Sequence, residues 1–427
     1  MKPLRDLDVA VVGGGPAGIG ACIELSRSTG LRVALFEGDR NLGGIPRSCH
    51  VFFGMRDQKR MMTGPAYARR LERFMEATGF DIHRSARVLD IFPGEEGAPH
   101  LIRVLSPKGL AHYACKCLLL SAGCFEDPRA ARRIPGSRPA GVFTTGTLQQ
   151  MINLKQWRPG TRALVVGSEA VSLSSVLTLR QAGISIAGMV ESESRIQTYE
   201  LPARILRAGL GFPIYCCTAV HRIMGDDRVE AVELIKSNDP RPWQVACDTV
   251  VLTGKFRPVS TLVENTAIEL DPDSKGPVVD MNFMTSVPNI FAAGNILRGA
   301  DMHDLCALEG KLAGRSILKS LEGGGKQRQQ GIRISVRFPI RYAVPQRIIP
   351  DHIKRQLLSW LVPRPSFQVA KTLERSAVEA WSGQSLIWSA VYRKIIANTR
   401  IPIPFERFDW NSVDGKKGLL LKIRAMK

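Results

Sequence analysis

Three glycines with the spacing Gly13-x-Gly15-x-x-Gly18, inside VVGGGPAG, carry the most specific chemistry in the chain. An apolar run, Val9 to Val12, leads into them, and a helical pattern, Ile19 to Arg27, follows. Gly13 allows a sharp turn. Gly15 has no side chain, so backbone can approach a pyrophosphate. Gly18 lets the helix lie close on the sheet, and the helix N-terminus adds N–H donors and partial positive charge. A second apolar strand pattern, Leu31 to Phe36, ends at Glu37, nineteen residues after Gly18. A carboxylate at that distance holds a ribose hydroxyl. Strand, turn, helix, strand and acid together predict a dinucleotide site.

Other reactive side chains form no comparable pattern. The nine cysteines, at 22, 49, 115, 117, 124, 216, 217, 247 and 306, are odd in number and include no CxxC. A disulfide framework and a reducible CxxC pair are both unsupported, and scattered thiols in a reducing cytoplasm are the default reading. Cys49, beside His50, is a candidate reactive thiol; a plain buried thiol is the alternative. His303 and Asp304 are candidate acid/base groups, against a structural or solvent-facing role. The histidines at 83, 100, 112, 221 and 352 are scattered and give no metal constellation.

At 427 residues, two or three domains are expected. No apolar run reaches eighteen residues, so no transmembrane helix is expected, and the N-terminal MKPLRDLDVAVV, with acids among its bases, does not read as a signal peptide. A glycine loop follows Glu37, from Gly38 to Arg47 with Gly43 and Gly44 inside it. Thr63 to Thr78 has helical spacing, residues 86–119 alternate in the β period, and Cys117 to Gly123 is a buried strand closing on a small-residue turn. The opening pattern then recurs. Gly167 to Glu191 repeats the step of 24 between Gly13 and Glu37. In this second turn Glu169 and Ser172 replace the second and third glycines. A carboxylate there repels a pyrophosphate and blocks its approach, so the fold is expected to persist without NAD(P). Beyond a polar linker at 323–330 the pattern turns to β, interrupted by a basic amphipathic helix signal from Asp351 to Val362.

The expected fold is α/β. Two Rossmann-like three-layer domains have the second inserted in the first, followed by a small, mostly β C-terminal domain. The predicted boundaries are 1–125 and 249–322 for the first, 126–248 for the second and 331–427 for the third. The net charge of +20 is uneven: residues 326–427 hold 20 Lys/Arg and 6 Asp/Glu, while the first 325 hold 39 and 33. The basic tail also holds Trp360, Trp381, Trp388 and Trp410, four of the six tryptophans. No nucleic-acid motif accompanies them, so no nucleic-acid partner is expected. Docking to a protein partner and peripheral contact with an anionic membrane surface remain as readings.

Over about residues 7–320 the chain resembles the pyridine nucleotide–disulfide oxidoreductase superfamily of two-dinucleotide-domain flavoproteins. The resemblance rests on VVGGGPAG, the acid Glu37, the LGG loop, LLLSAG at 118–123, the degenerate second turn and SVPNIFAAGN at 286–295. GGIPRSC, MTGPAYARRL and AGVFTTGTLQQ are similar to a narrower branch. That branch holds the flavoprotein associated with anaerobic glycerol-3-phosphate dehydrogenase and, more distantly, subunits of opine oxidase, hydrogen cyanide synthase and dye-linked proline dehydrogenase.

The resemblance implies FAD, held by Gly13, Gly15 and Gly18 at its pyrophosphate and Glu37 at its ribose. It places Gly44 in the loop near the flavin, Val88 at the adenine by backbone, and Gly123 in the turn over the nucleotide. Gly294 and Asn295 stand where such proteins have Gly-Asp. Glu309-Gly310 is placed at the start of the helix aimed at the flavin. The superfamily's redox disulfide is missing. The implied activity is an FAD-dependent dehydrogenase subunit in the cytoplasm or at the inner membrane surface. It would pass electrons from a small reduced substrate to other dehydrogenase subunits or a quinone. An NAD(P)H-dependent flavin reductase and a non-catalytic, nucleotide-binding assembly subunit are the alternatives.

Overall fold

A computed structural model describes residues 5–49, 51–95, 97–197, 211–323, 331–349 and 364–426. The amphipathic helix expected from Asp351 to Val362, and Trp360 within it, lie outside these residues.

The first domain grows from β1 (Arg5–Val12), α1 (Pro16–Leu25) and β2 (Val33–Phe36). β1 runs parallel to β2 in register Val9↔Val33 to Val12↔Phe36. Val9 to Val12 of β1 and the whole of β2 are apolar and buried because both faces of the sheet are covered there. α2 (Gly64–Glu76) leads to β3 (Asp81–His83). An antiparallel meander follows: β4 (Arg87–Phe92), β5 (His100–Ser106) and β6 (Gly109–Leu120). β6 is long enough to serve twice. Gly109 to Cys115 pairs antiparallel with β5, and Tyr113 to Leu120 lies parallel to β1 on the other edge.

The chain leaves this domain through β7 (Cys124–Glu126). The second domain opens with β8 (Val142–Thr144) and α3 (Thr145–Gln149), then repeats the βαβ pattern in β9 (Arg162–Val166), α4 (Ala170–Gln181) and β10 (Ser185–Val190). β11 (Ile214–Tyr215) extends the parallel sheet. An antiparallel ribbon then runs through β12 (Thr218–Met224), β13 (Ala231–Lys236) and β14 (Asp239–Ala246). β15 (Thr249–Leu252) inserts between β8 and β9 of the second sheet. The boundary expected at 249 therefore moves. The return crossing is β16 (Phe256–Pro258), which pairs antiparallel with β7. The sequence misled because a buried parallel strand reads the same in either domain.

Back in the first domain, β17 (Ile290–Ala292) adds to β6, and α5 (His303–Gly323) packs on α1. Small residues set this crossing. A Cβ built on Gly310 would lie 1.9 Å from the Ala17 carbonyl oxygen, and one on Gly20 would lie 2.3 Å from that of Ala307. The two backbones touch, so the helix that starts at the glycine turn and the helix that follows Gly294 are packed directly against each other.

The C-terminal domain has a five-stranded sheet and a three-stranded one. Its strands are β18 (Ile332–Val336), β19 (Ile340–Val344), β20 (Arg347–Ile348), β21 (Ser366–Val369), β22 (Leu373–Ser382), β23 (Ser385–Ile395), β24 (Ile401–Pro402) and β25 (Leu419–Ala425). Tyr342 and Val344 join the first domain's core beside Val279 and Leu297. The Gln346 side-chain oxygen accepts from Val279 N at 3.1 Å. Trp388 stacks on Phe408 at 5.5 Å and Phe408 on Trp410 at 5.7 Å, so two of the tail's tryptophans build its own core.

Substitution Gly310→Val forces α1 and α5 apart and is expected to cost about 1–3 kcal/mol. Gly323→Ala, where a Cβ meets nothing within 4 Å, is expected to stay within about 0.5 kcal/mol of wild type. Thermal unfolding of the two variants checks both. Equal melting temperatures would contradict the tight crossing.

Candidate functional site

The β1–α1 turn is shaped by backbone contact on one side and space on the other. Gly13 has φ +104°, and a Cβ there would lie 2.5 Å from the Ser121 carbonyl oxygen. A Cβ on Gly18 would lie 2.0 Å from the Gly13 oxygen. Ser121 Oγ ties the two strand ends by donating to Val12 O at 2.8 Å and Gly13 O at 3.1 Å. At Gly15 a Cβ would meet nothing within 4 Å. The protein thus needs glycine at 13 and 18 for its own packing, whereas glycine at 15 is explained by something the protein does not contain.

The surrounding loops converge on that space. Gly43 N donates to Gly14 O at 2.8 Å, and a Cβ on Gly44, φ +61°, would lie 3.2 Å from Gly15 Cα. Glu37 accepts from Gly14 N at 2.8 Å and Asp39 N at 2.7 Å, which fixes the carboxylate at the end of β2. Gly123, φ +78°, also faces open space. Val88 is buried in the meander opposite Val104, with Ala86 N donating to Glu37 O at 2.8 Å just before it. Gly294, φ +81°, abuts Ala17. An FAD pyrophosphate against Gly15, with its ribose toward Glu37, fits these residues. Asn295 has less to offer than the sequence suggested. Its side-chain oxygen already accepts from Asp301 N at 2.9 Å and Cys306 Sγ at 3.1 Å.

A buried charge cluster supports this turn. Glu309 accepts from Arg298 at 2.6 and 2.9 Å, Arg400 at 2.9 Å and Gly294 N at 3.2 Å. Asp301 pairs with the same two arginines at 3.2 and 3.1 Å. Arg400 comes from the C-terminal domain, which thus reaches the Gly294 turn. α5 begins at His303, so Glu309 is not its first residue as expected; it points sideways into the cluster. Nothing in the local sequence joins Arg400 to residues about a hundred positions earlier.

The catalytic candidates are quieter than their residue types imply. Cys49 is buried, its Sγ lies 3.7 Å from Ser174 Oγ, and burial pushes its thiol pKa up. That is a packed thiol, opposite to an activated thiolate. His303 heads α5 with its ring edge-on to Phe53 at 4.8 Å. Burial lowers its pKa to about 4, so it is neutral at pH 7. Asp304 is 1% exposed and accepts from Arg56, backbone and side chain, at 3.3 Å and from Leu305 N at 3.0 Å. The structure brings His303 and Asp304 to one helix end, and Cys49 to the interface with the second domain. Among the described residues, no three His, Cys, Asp or Glu side chains converge as a metal site would require.

The second turn is filled by its own side chains. Glu169 accepts from Ser172 Oγ and Thr253 Oγ1, both at 3.1 Å. One of its oxygens lies 2.7 Å from where a Cβ on Gly167 would stand, and the other 2.3 Å from a Cβ on Gly254. Glu191, the counterpart of Glu37, is buried, accepts from Ser168 Oγ and Glu193 N, and has its pKa raised by burial.

A family model described as pyridine nucleotide-disulphide oxidoreductase matches residues 7–311. Hydrogen cyanide synthase subunit HcnB of Pseudomonas protegens is 28% identical over 44% of this chain and 38% of its own length. The ferredoxin–NAD(+) reductase subunit of the Pseudomonas putida benzene 1,2-dioxygenase system is 30% identical over 38% of this chain and 39% of its own. The chain thus spans about two fifths of each of these relatives. Thioredoxin reductase of T. acidophilum superposes with a TM-score of 0.64 at 18% identity, over 75% of this chain and 100% of that one. L-proline dehydrogenase from P. horikoshii gives 0.56 at 22% identity, over 76% and 58%. These two likenesses show the fold.

Gly15→Ala and Gly13→Ala separate cofactor space from packing. Gly15→Ala is expected to leave the melting temperature of FAD-free protein unchanged and to weaken FAD binding about 10–100-fold, the equivalent of about 1–3 kcal/mol of steric conflict. Gly13→Ala is expected to lower the melting temperature even without FAD. Flavin fluorescence titration and thermal unfolding read the two effects. A Gly15→Ala protein that binds FAD normally would contradict the assignment.

Proposed function

The chain belongs to the pyridine nucleotide-disulphide oxidoreductase family and is an FAD oxidoreductase, and from that premise we propose that it is a dehydrogenase subunit. FAD, held by the Gly13–Gly18 turn and Glu37, would supply hydride acceptance from a small reduced substrate, an amine, amino acid or polyol phosphate, with a partner protein or quinone as the electron acceptor. One observation carries the reading: the first glycine turn is open at Gly15, while Glu169 lies across the second. A nicotinamide nucleotide that approached Gly167 would meet a fixed carboxylate already bonded to Ser172 and Thr253. Desolvating that charge against a pyrophosphate is costly.

The flavin supplies the redox chemistry when bound, and the protein's share is placement. Gly13 to Gly18 and Glu37 bind the nucleotide. The Arg298–Glu309–Arg400 cluster holds the Gly294 turn. Likeness to a hydrogen cyanide synthase subunit supports a role as one subunit of a larger enzyme. The basic C-terminal domain suits docking on an acidic partner subunit. Among the described residues no helix is long and apolar enough to cross a membrane.

A second reading, an NAD(P)H-dependent flavin reductase, is favoured by the ferredoxin–NAD(+) reductase relative. Anaerobic mixing decides between them. The FAD-loaded protein is expected to keep its visible flavin bands with NADH or NADPH and to lose them with L-proline, another amino acid or glycerol 3-phosphate. Bleaching by a nicotinamide within the mixing time would overturn the dehydrogenase reading.

A further inference from the structure

Glu126 belongs to no motif, yet its position is the least explained by structure alone. It ends β7, the outgoing crossover strand, opposite Phe256. Strand alternation puts its side chain on the same side as that of Cys124, whose thiol bonds to Asn295. From there the carboxylate reaches the second domain, where Oε2 accepts from Gly146 N at 2.8 Å. The region around Gly146 is itself tied to the cofactor loop of the first domain. Gln149 donates to Ser174 Oγ at 2.8 Å, Ser174 touches Cys49, and Asn153 donates to Ser48 O at 2.6 Å. Glu126 therefore stands where the Asn295 turn, the 44–49 loop and the second domain meet.

Glu126 is 8% exposed, and its Oε1 is buried with no hydrogen-bond partner. A buried acceptor left without a partner is uncommon and costly. The charged and titratable groups around it do not satisfy it. Arg132 is the cation that acts on it, but its three nitrogens donate to the carbonyls of Asp127, Thr253 and Gly254. Asp127 pairs with Arg257 at 2.7 Å. The Cys124 thiol is pushed up to about 12 by burial, with the Glu126 charge adding to the shift. Thr144, Thr145 and the Gly146 amide favour the carboxylate, as does Arg132, but burial outweighs them and raises the Glu126 pKa to about 7.

We propose that Glu126 is the proton acceptor of the substrate site, taking the N–H or O–H proton of the carbon–heteroatom bond that is oxidised. The inference rests on the dehydrogenase reading and narrows it to substrates with a CH–NH or CH–OH group. In that step the C–H bond breaks and its electron pair passes as hydride to FAD, which is reduced. The N–H or O–H bond breaks, its proton goes to Glu126 Oε1, and the carbon is left doubly bonded to nitrogen or oxygen. Below pH 7 Glu126 is neutral and cannot accept, so the step slows as pH falls through 7.

The test uses the full-length, FAD-loaded protein without substrate. Its visible flavin spectrum is expected to shift between pH 5.5 and 8.5 with one midpoint near 7. The shift should be absent in Glu126→Gln and present with a moved midpoint in Glu126→Asp, which keeps a titrating carboxyl if the amide variant folds poorly. With a reducing substrate, Glu126→Gln is expected to slow anaerobic flavin reduction by about 10²–10⁴-fold. Substrate affinity should stay close to wild type, and the acid limb of the pH profile should vanish. No midpoint in the wild type, or the same midpoint in Glu126→Gln, would overturn the assignment. Because the spectral titration needs no substrate, failure to find any CH–NH or CH–OH reductant counts against the dehydrogenase reading alone.

Discussion

A charged pyrophosphate can lie against backbone amides only where no side chain intervenes, and that requirement organises this protein. Gly13 bends the chain, Gly18 brings α1 against Ser121, and Gly15 leaves the space. Everything near it is fitted to the same close approach. The Gly43–Gly44 loop hydrogen-bonds to the turn, Glu37 is oriented by Gly14 N, and α5 crosses α1 with glycine against carbonyl. A side chain at any of these contacts would push apart elements that must jointly face one ligand.

The second domain shows what happens when that requirement is relaxed. Its strands, helix and terminal acid persist, because parallel pairing and a packed helix need ladder hydrogen bonds and burial but no glycine turn. Its turn has become a small internal network in which Glu169 is bonded to Ser172 and Thr253, and Glu191 to Ser168. The same fold is thus used once with an open turn and once as a closed partner wall. That wall contributes Gly146 and Ser174 to the contacts with the first domain. The C-terminal domain completes the arrangement. Burying Arg298, Asp301, Glu309 and Arg400 together is expensive unless all are paired; Arg298 pairs with both acids, and Arg400 adds a second partner to each when it is docked. The cluster therefore favours one placement of the domain over others more than it adds stability.

The α/β fold and the degenerate second turn were legible because each is written in contiguous residues: apolar runs, glycine spacing and an acid at a set distance. The boundary near 249 was misplaced because Thr249–Leu252 is an apolar strand that either sheet could accept, and only pairing decides. Glu309 was read as a helix start because its role depends on Arg298 and Arg400. The orphaned oxygen of Glu126 could not be foreseen either. Polar residues at strand ends are ordinarily solvated, and its burial arises from a second domain closing over it. Cys49, His303 and Asp304 were attractive by residue type. Burial and pairing made them a packed thiol, a neutral imidazole and a salt-bridged carboxylate.

The central claim is that two copies of one nucleotide-binding pattern have been divided into a working site and a closed one. Counting nucleotides tests it most directly. FAD released per chain on denaturation, combined with equilibrium dialysis of the FAD-loaded protein against NADPH and NADH, gives both occupancies. The account predicts one FAD per chain and no saturable nicotinamide binding. A second nucleotide per chain, or saturable NADPH binding abolished by substitution at Gly167 or Glu191, would contradict it.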